Sequence, residues 1–131
     1  MLGKTKRETS QIIKEIFKVR FRSAGKFKIS EISLIEASTE FEIYSFNLKC
    51  EFKMEPYSYN YLIKFYLTTE GEQEAQKEFE IIKNIEMDKP YPSRDYHLDF
   101  TKTMFIYPFI IINKDDNERV DYILSKSEKN P

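Results

Sequence analysis

The chain has 131 residues, of which 40% are hydrophobic, 33% charged and 15% aromatic, with a formal net charge of -1. That length suits one ordinary domain, and the stock of Leu, Ile, Val and Phe is large enough to build a core. Three glycines, one cysteine and one histidine exclude a clustered-glycine phosphate loop, an internal disulfide and a Cys/His zinc cage, so no cofactor and no metal is expected.

Thr5-Lys6-Arg7-Glu8 has the spacing of a capping box, which predicts a helix over about 5–18. Ile12, Ile16 and Val19 share one stripe of that helix with Ile13 and Phe17 beside it, while Arg7, Lys14 and Lys18 fall opposite. From Phe17 to Arg22 apolar and basic residues also alternate, so 17–22 reads either as more helix or as a strand. Ser23-Ala24-Gly25 supplies a turn, and Lys26-Phe27-Lys28-Ile29 resumes the alternation. As a strand pair, this segment would set Lys18, Arg20, Arg22, Lys26 and Lys28 on one exposed face, a composition suited to a phosphate backbone.

Downstream the pattern predicts antiparallel strands throughout. Tyr44 to Met54 alternates apolar with polar residues and ends at Glu55-Pro56. Tyr59, Tyr61, Ile63, Phe65 and Leu67 repeat the pattern, Thr68 to Gln76 reads as a polar connection, and Phe79, Ile81 and Ile85 as a returning strand. Asp88 to Ser93 holds two prolines and is a loop, Tyr96 to Ile112 holds one or two strands, and Asn113 to Asn117 is a turn. Val120 to Leu124 is read as the last strand. The expected fold is therefore α+β or mainly β: an N-terminal amphipathic helix followed by a curved antiparallel sheet or sandwich of five to seven strands. It is expected as a single domain over 1–131, with the β body over about 26–125 and a frayed tail over 126–131.

The net charge conceals a division. Residues 1–28 carry nine Lys/Arg against two Glu, a charge of +7, and the remainder carries -8. The basic N-terminus lacks the apolar core of a secretion signal, and the longest apolar run, Met104 to Ile112, is half the ~18 residues of a spanning helix. A soluble, cytoplasmic protein is the expectation.

No catalytic residue is assigned. His97 lies in Arg94-Asp95-Tyr96-His97-Leu98-Asp99 and reads as a solvated histidine on a strand rather than a base held by carboxylates. Cys50 falls in the apolar register of its strand and reads as a small core residue. Asp115, Asp116, Asn117 and Glu118 lack the spacing of a calcium loop, and Glu70, Glu72, Glu74, Glu78 and Glu80 read as a solvated loop and strand face.

What remains is binding. Tyrosine joins a large apolar face to a polar tip, and Tyr57, Tyr59 and Tyr61 with Phe105, Tyr107 and Phe109 are the candidate partner-binding residues. Met104 to Ile112 is apolar on both faces and needs cover from the helix, a second sheet or another subunit, while Pro108 implies an edge or a bulge.

The succession Phe27 to Leu34, Tyr44 to Met54, Tyr61 to Leu67 and Phe79 to Ile85, followed by Ile106-Tyr107-Pro108-Phe109, resembles the strands and aromatic-proline-aromatic segment of SecB-like chaperones. The resemblance implies a protein that holds unfolded chains in apolar grooves and assembles through strand and helix packing. It departs after Ile112, where that family continues into a helix and this sequence predicts a turn and a strand. The expected function is a non-enzymatic protein-binding module, a self-associating holder of polypeptides in the SecB manner. The alternative is nucleic-acid binding through the basic N-terminal segment.

Overall fold

The computed structural model describes residues 6–20, 27–52, 54–85, 96–99 and 107–128. Among them lie α1 (Lys6–Arg20), β1 (Phe27–Ala37), β2 (Phe41–Phe52), β3 (Glu55–Tyr66), α2 (Gly71–Lys83), β4 (Tyr96–Asp99), β5 (Phe109–Asn113) and α3 (Asn117–Glu128). The strands pair antiparallel in the order β1-β2-β3-β5-β4. Four of them form the body of an open sheet, and the four-residue β4 adds a short edge beside β5.

Alternation along the strands sorts the core into two layers. Tyr44, Phe46, Leu48, Tyr61, Ile63, Phe65, Phe109 and Ile111 face one way and pack with Ile13 and Ile16 of α1. Phe41, Ile43, Leu62, Tyr66, Ile110 and Ile112 face the other way and pack with Ala75 and Ile82 of α2 and Ile123 of α3. The sheet is thus covered on both sides by helices of its own chain. Its class, its antiparallel pairing and its N-terminal helix are those read from the sequence.

Three elements differ from that reading. Residues 71–83 are a helix, not a polar connection and a returning strand. The buried spacing Ala75, Phe79, Ile82 is helical, in a segment rich in Glu, Gln and Lys, whereas Ile81, which suggested alternation, is 45% exposed. Residues 117–128 are likewise a helix, with Val120, Ile123 and Leu124 turned to the sheet. Residues 17–20 continue α1, so they are not a strand, while 21 and 22 lie outside the described residues.

The first residue of α2 shows why the chain turns tightly there. Gly71 is buried, its N–H is bonded to the carbonyl of Thr68, and a Cβ at this position would come within 3.0 Å of both the Cβ and the carbonyl oxygen of Tyr66. At the free edge, β1 carries bulges between Ser30 and Ser33 and between Leu34 and Glu36, with Glu31 at a φ of 58°. Such irregularities interrupt the row of unpaired backbone groups that an exposed edge offers.

The two helices on the second face are joined by Arg119. Its Nη1 is paired with Asp116 Oδ2 at 2.6 Å, its Nε donates to the carbonyl of Ile82 at 2.7 Å, and its Nη2 donates to that of Ile85 at 3.1 Å. A guanidinium fork at the C-terminal carbonyls of a helix satisfies orphan acceptors and opposes the negative end of the dipole. Arg119 and Asp116 are both buried, so removing one leaves the other charge uncompensated. Arg119→Ala is expected to lower the unfolding free energy by about 3–5 kcal/mol in urea titrations. Arg119→Lys, which keeps the charge and loses the fork, should recover only part of that loss.

Candidate functional site

At one end the long β1-β2-β3 meander runs on past Tyr61, where the pairing of β3 with β5 ends. On the α1 face of that end β3 carries Tyr57, Tyr59 and Tyr61 in a continuous ladder. The rings of Tyr57 and Tyr59 are stacked at 6.1 Å with 4° between their planes, and Tyr59 and Tyr61 lie 6.2 Å apart. Tyr61 in turn stacks on Phe46 at 5.8 Å. Tyr57 and Tyr59 are half-buried while Tyr61 is 5% exposed, so the strip runs from an accessible end into the core. Two rings held parallel by neighbouring strand positions form a preorganised apolar plane with hydroxyls at its rim. Tyr57 Oη is 3.3 Å from Glu55 Oε2.

The hairpin joining β2 to β3 closes between Phe52 and Glu55 and exposes Met54 at 90%, with a φ of 68°. A non-glycine residue in this left-handed region carries a conformational penalty of roughly 1–2 kcal/mol, and an exposed methionine offers no burial to offset it. Beside it a groove of about 540 Å³ is lined by Phe27, Cys50, Tyr57 and Pro56 together with Lys28, Lys49, Glu51 and Ser58. Cys50 is half-buried and borders this groove, which corrects its reading as a core residue: the row Phe27, Cys50, Tyr57 lies near the end of the sheet.

The other candidate residues are dispersed. Phe109 is buried against Phe65 at 6.0 Å, Tyr107 is half-buried before β5, and Phe105 lies outside the described residues. Phe109 pairs with Phe65 and Tyr61 with Asn113, which places the two aromatics at opposite ends of the β3-β5 contact. The run Phe109 to Ile112 is buried on both faces within the chain, and β5 is an interior strand with Pro108 just before it rather than an edge. The Pro108 carbonyl accepts the N–H of Tyr66, so the proline lies where its missing donor is not needed.

Of the basic set, Lys28 is exposed on β1, Lys18 and Arg20 belong to α1, and Arg22 and Lys26 lie outside the described residues. Lys18 and Arg20 are thus in a helix and not in the strand pair from which the period-two face was read. His97 lies on β4 opposite Ile111, and Arg94 and Asp95 are outside the described residues. Asp116 serves Arg119, and Asn113 Oδ1 takes the N–H of Asp115 in a local turn. Among the described residues no group of three or more His, Cys, Asp or Glu side chains is arranged to hold a metal ion, and no helix is long and apolar enough to cross a membrane.

A buried polar cluster on the second face escaped the sequence reading. Lys64 Nζ and Tyr66 Oη both reach Glu78 Oε1 at 2.7 Å, and the ammonium lies 4.8 Å from the ring centres of Phe41 and Tyr66. Glu78, placed in a solvated strand by its sequence neighbours, is the α2 residue that turns inward. Burial, then the Glu78 carboxylate, pushes the Tyr66 phenol well above its usual 10, and burial with the same carboxylate raises Tyr122. Compared with family models, with curated proteins and with solved structures, the chain finds no match in any of the three.

Two outcomes follow. A phenol whose folded pKa lies above its unfolded value stabilises the fold below pH 10, and that contribution is lost as pH rises from 10 through the folded pKa. Stability should therefore fall in that window, less steeply in Tyr66→Phe, and difference absorbance should show the last tyrosines ionising only with unfolding. Met54→Asn, suited to the left-handed region, is expected to raise the unfolding free energy by about 1 kcal/mol.

Proposed function

We propose that this protein is a polypeptide-binding module and that Tyr57 and Tyr59 are its contact surface. The stacked pair is the observation that carries the reading: two large rings, preorganised and half-buried, where β3 runs past its pairing with β5. Amphipathic rings of this kind supply much of the energy of protein contacts at small entropic cost. Met54 extends the same end with an exposed, adaptable apolar side chain. The specific form of the reading is the holding of extended or unfolded segments, as the SecB-like resemblance implies. Nucleic acid is the second reading, and Lys28 and Lys49 in the groove speak for it. The alternation of the strands weighs against it, because it sets these lysines on the face opposite the ladder, of which Tyr57 alone lines their groove.

The test is suppression of aggregation of a chemically unfolded client at near-equal stoichiometry, with fluorescence anisotropy of labelled oligonucleotides in parallel. The wild-type chain should hold the client, and the Tyr57→Ala/Tyr59→Ala variant should need at least tenfold more protein for the same effect while keeping its circular dichroism. No holding by the wild type, or holding unchanged in the variant, overturns the reading. Tight, salt-dependent oligonucleotide binding would replace it.

A further inference from the structure

The strand register builds a second feature on the opposite face. Lys28 of β1 pairs with Lys49 of β2, and Lys49 pairs with Ser58 of β3, so the three form one row across the sheet. All three are exposed and border the same groove. Like charges directly opposite one another weaken a strand pair. Neither ammonium has an ion pair or hydrogen bond among the described residues.

Behind the row lies Asn47, 6% exposed. Its Nδ2 donates to Ser58 Oγ at 3.0 Å, to Asn60 Oδ1 at 3.0 Å and to the carbonyl of Tyr59 at 3.2 Å. With its oxygen engaged as an acceptor, Ser58 keeps its hydroxyl proton for an outside acceptor. Asn47 Oδ1 is buried with no partner, which marks a place where a water or a ligand oxygen bearing a proton completes the set. Two unpaired cations and an oriented hydroxyl match one doubly charged oxyanion. The carboxylate of Glu51, two positions beyond Lys49 on the same face, makes no ion pair with either lysine and repels a second anionic group. That arrangement favours a single anion over a long polyanion.

We infer that Lys28, Lys49 and Ser58 form a binding site for one phosphate-type group, free or carried on a small molecule. Tyr57 lines the same groove, but Lys28, Lys49 and Ser58 lie on the other face of the sheet, and the site does not rest on the polypeptide reading.

The experiment is an NMR amide and lysine side-chain titration of the full chain at low ionic strength with inorganic phosphate, sulfate and glycerol phosphate. Expected are saturable shifts centred on Lys28, Lys49 and Ser58. Lys49→Gln should weaken binding at least tenfold and Ser58→Ala severalfold, Glu51→Gln should tighten it, and Tyr59→Ala, outside the groove, should leave it unchanged. Phosphate should bind more weakly as pH falls through its second ionisation, while sulfate, a dianion throughout, should not change. Equal affinity for phosphate and its ester assigns the free anion, and a tenfold preference for the ester assigns a carried group. Shifts that fail to saturate and spread over all lysines overturn the site. So does a Lys49→Gln variant that folds and binds as the wild type does, or an oligonucleotide or acidic peptide that binds there when phosphate does not.

Discussion

The structure depends on β5. Its residues Phe109, Ile110, Ile111, Ile112 and Asn113 are all buried, so the strand presents no face that water can cover. At about 25 cal/mol per Å² of apolar surface, leaving either side open would forfeit several kcal/mol, and both sides must therefore be roofed. The chain supplies α1 for one side and α2 with α3 for the other. A five-residue strand spans about 17 Å, whereas β2 and β3, with 12 residues each, span about 40 Å. Past β5 the meander carries half-buried tyrosines on one side and exposed lysines on the other.

Within the α2/α3 layer, polar groups fix the positions that apolar packing alone would leave free to slide. Lys64 and Glu78 attach α2 to β3, and Arg119 attaches α3 to the end of α2. Buried ion pairs of this kind add little net stability over apolar residues of the same shape, because desolvation consumes most of the Coulomb gain. Each has a fixed geometry, however, and only one placement of each helix satisfies it. The cost is local: Glu78 Oε2 and Tyr122 Oη are both buried without partners.

Legibility in the sequence followed how far each signal was local. The start of α1 was written in a capping box, the inner strands in long period-two patterns, and the two-sided burial of β5 in an unbroken apolar run. The helices α2 and α3 were missed because few apolar residues mark their faces. In α2 the exposed Ile81 gave a false alternation that outweighed the spacing of Ala75, Phe79 and Ile82. In α3, Val120, Ile123 and Leu124 are too few to separate the two periods by themselves. The tyrosine ladder was legible because its members lie on one strand. The Lys28, Lys49, Ser58 row and the Lys64, Glu78 pair were not, since each joins segments whose register or contact only the folded chain defines.

This distinction bears on how the exposed end can work. A surface for single-stranded nucleic acid needs cations along a backbone track and rings beside it on the same side, so that phosphates and bases are engaged together. Here strict alternation assigns Tyr57 and Tyr59 to one face and Lys49 and Ser58 to the other. A polypeptide needs no such pairing: apolar side chains can settle on a ring plane without a charge nearby. The same alternation turns Lys28 and Lys49 away from Tyr59, and of the ladder Tyr57 alone lines the groove that the lysines border.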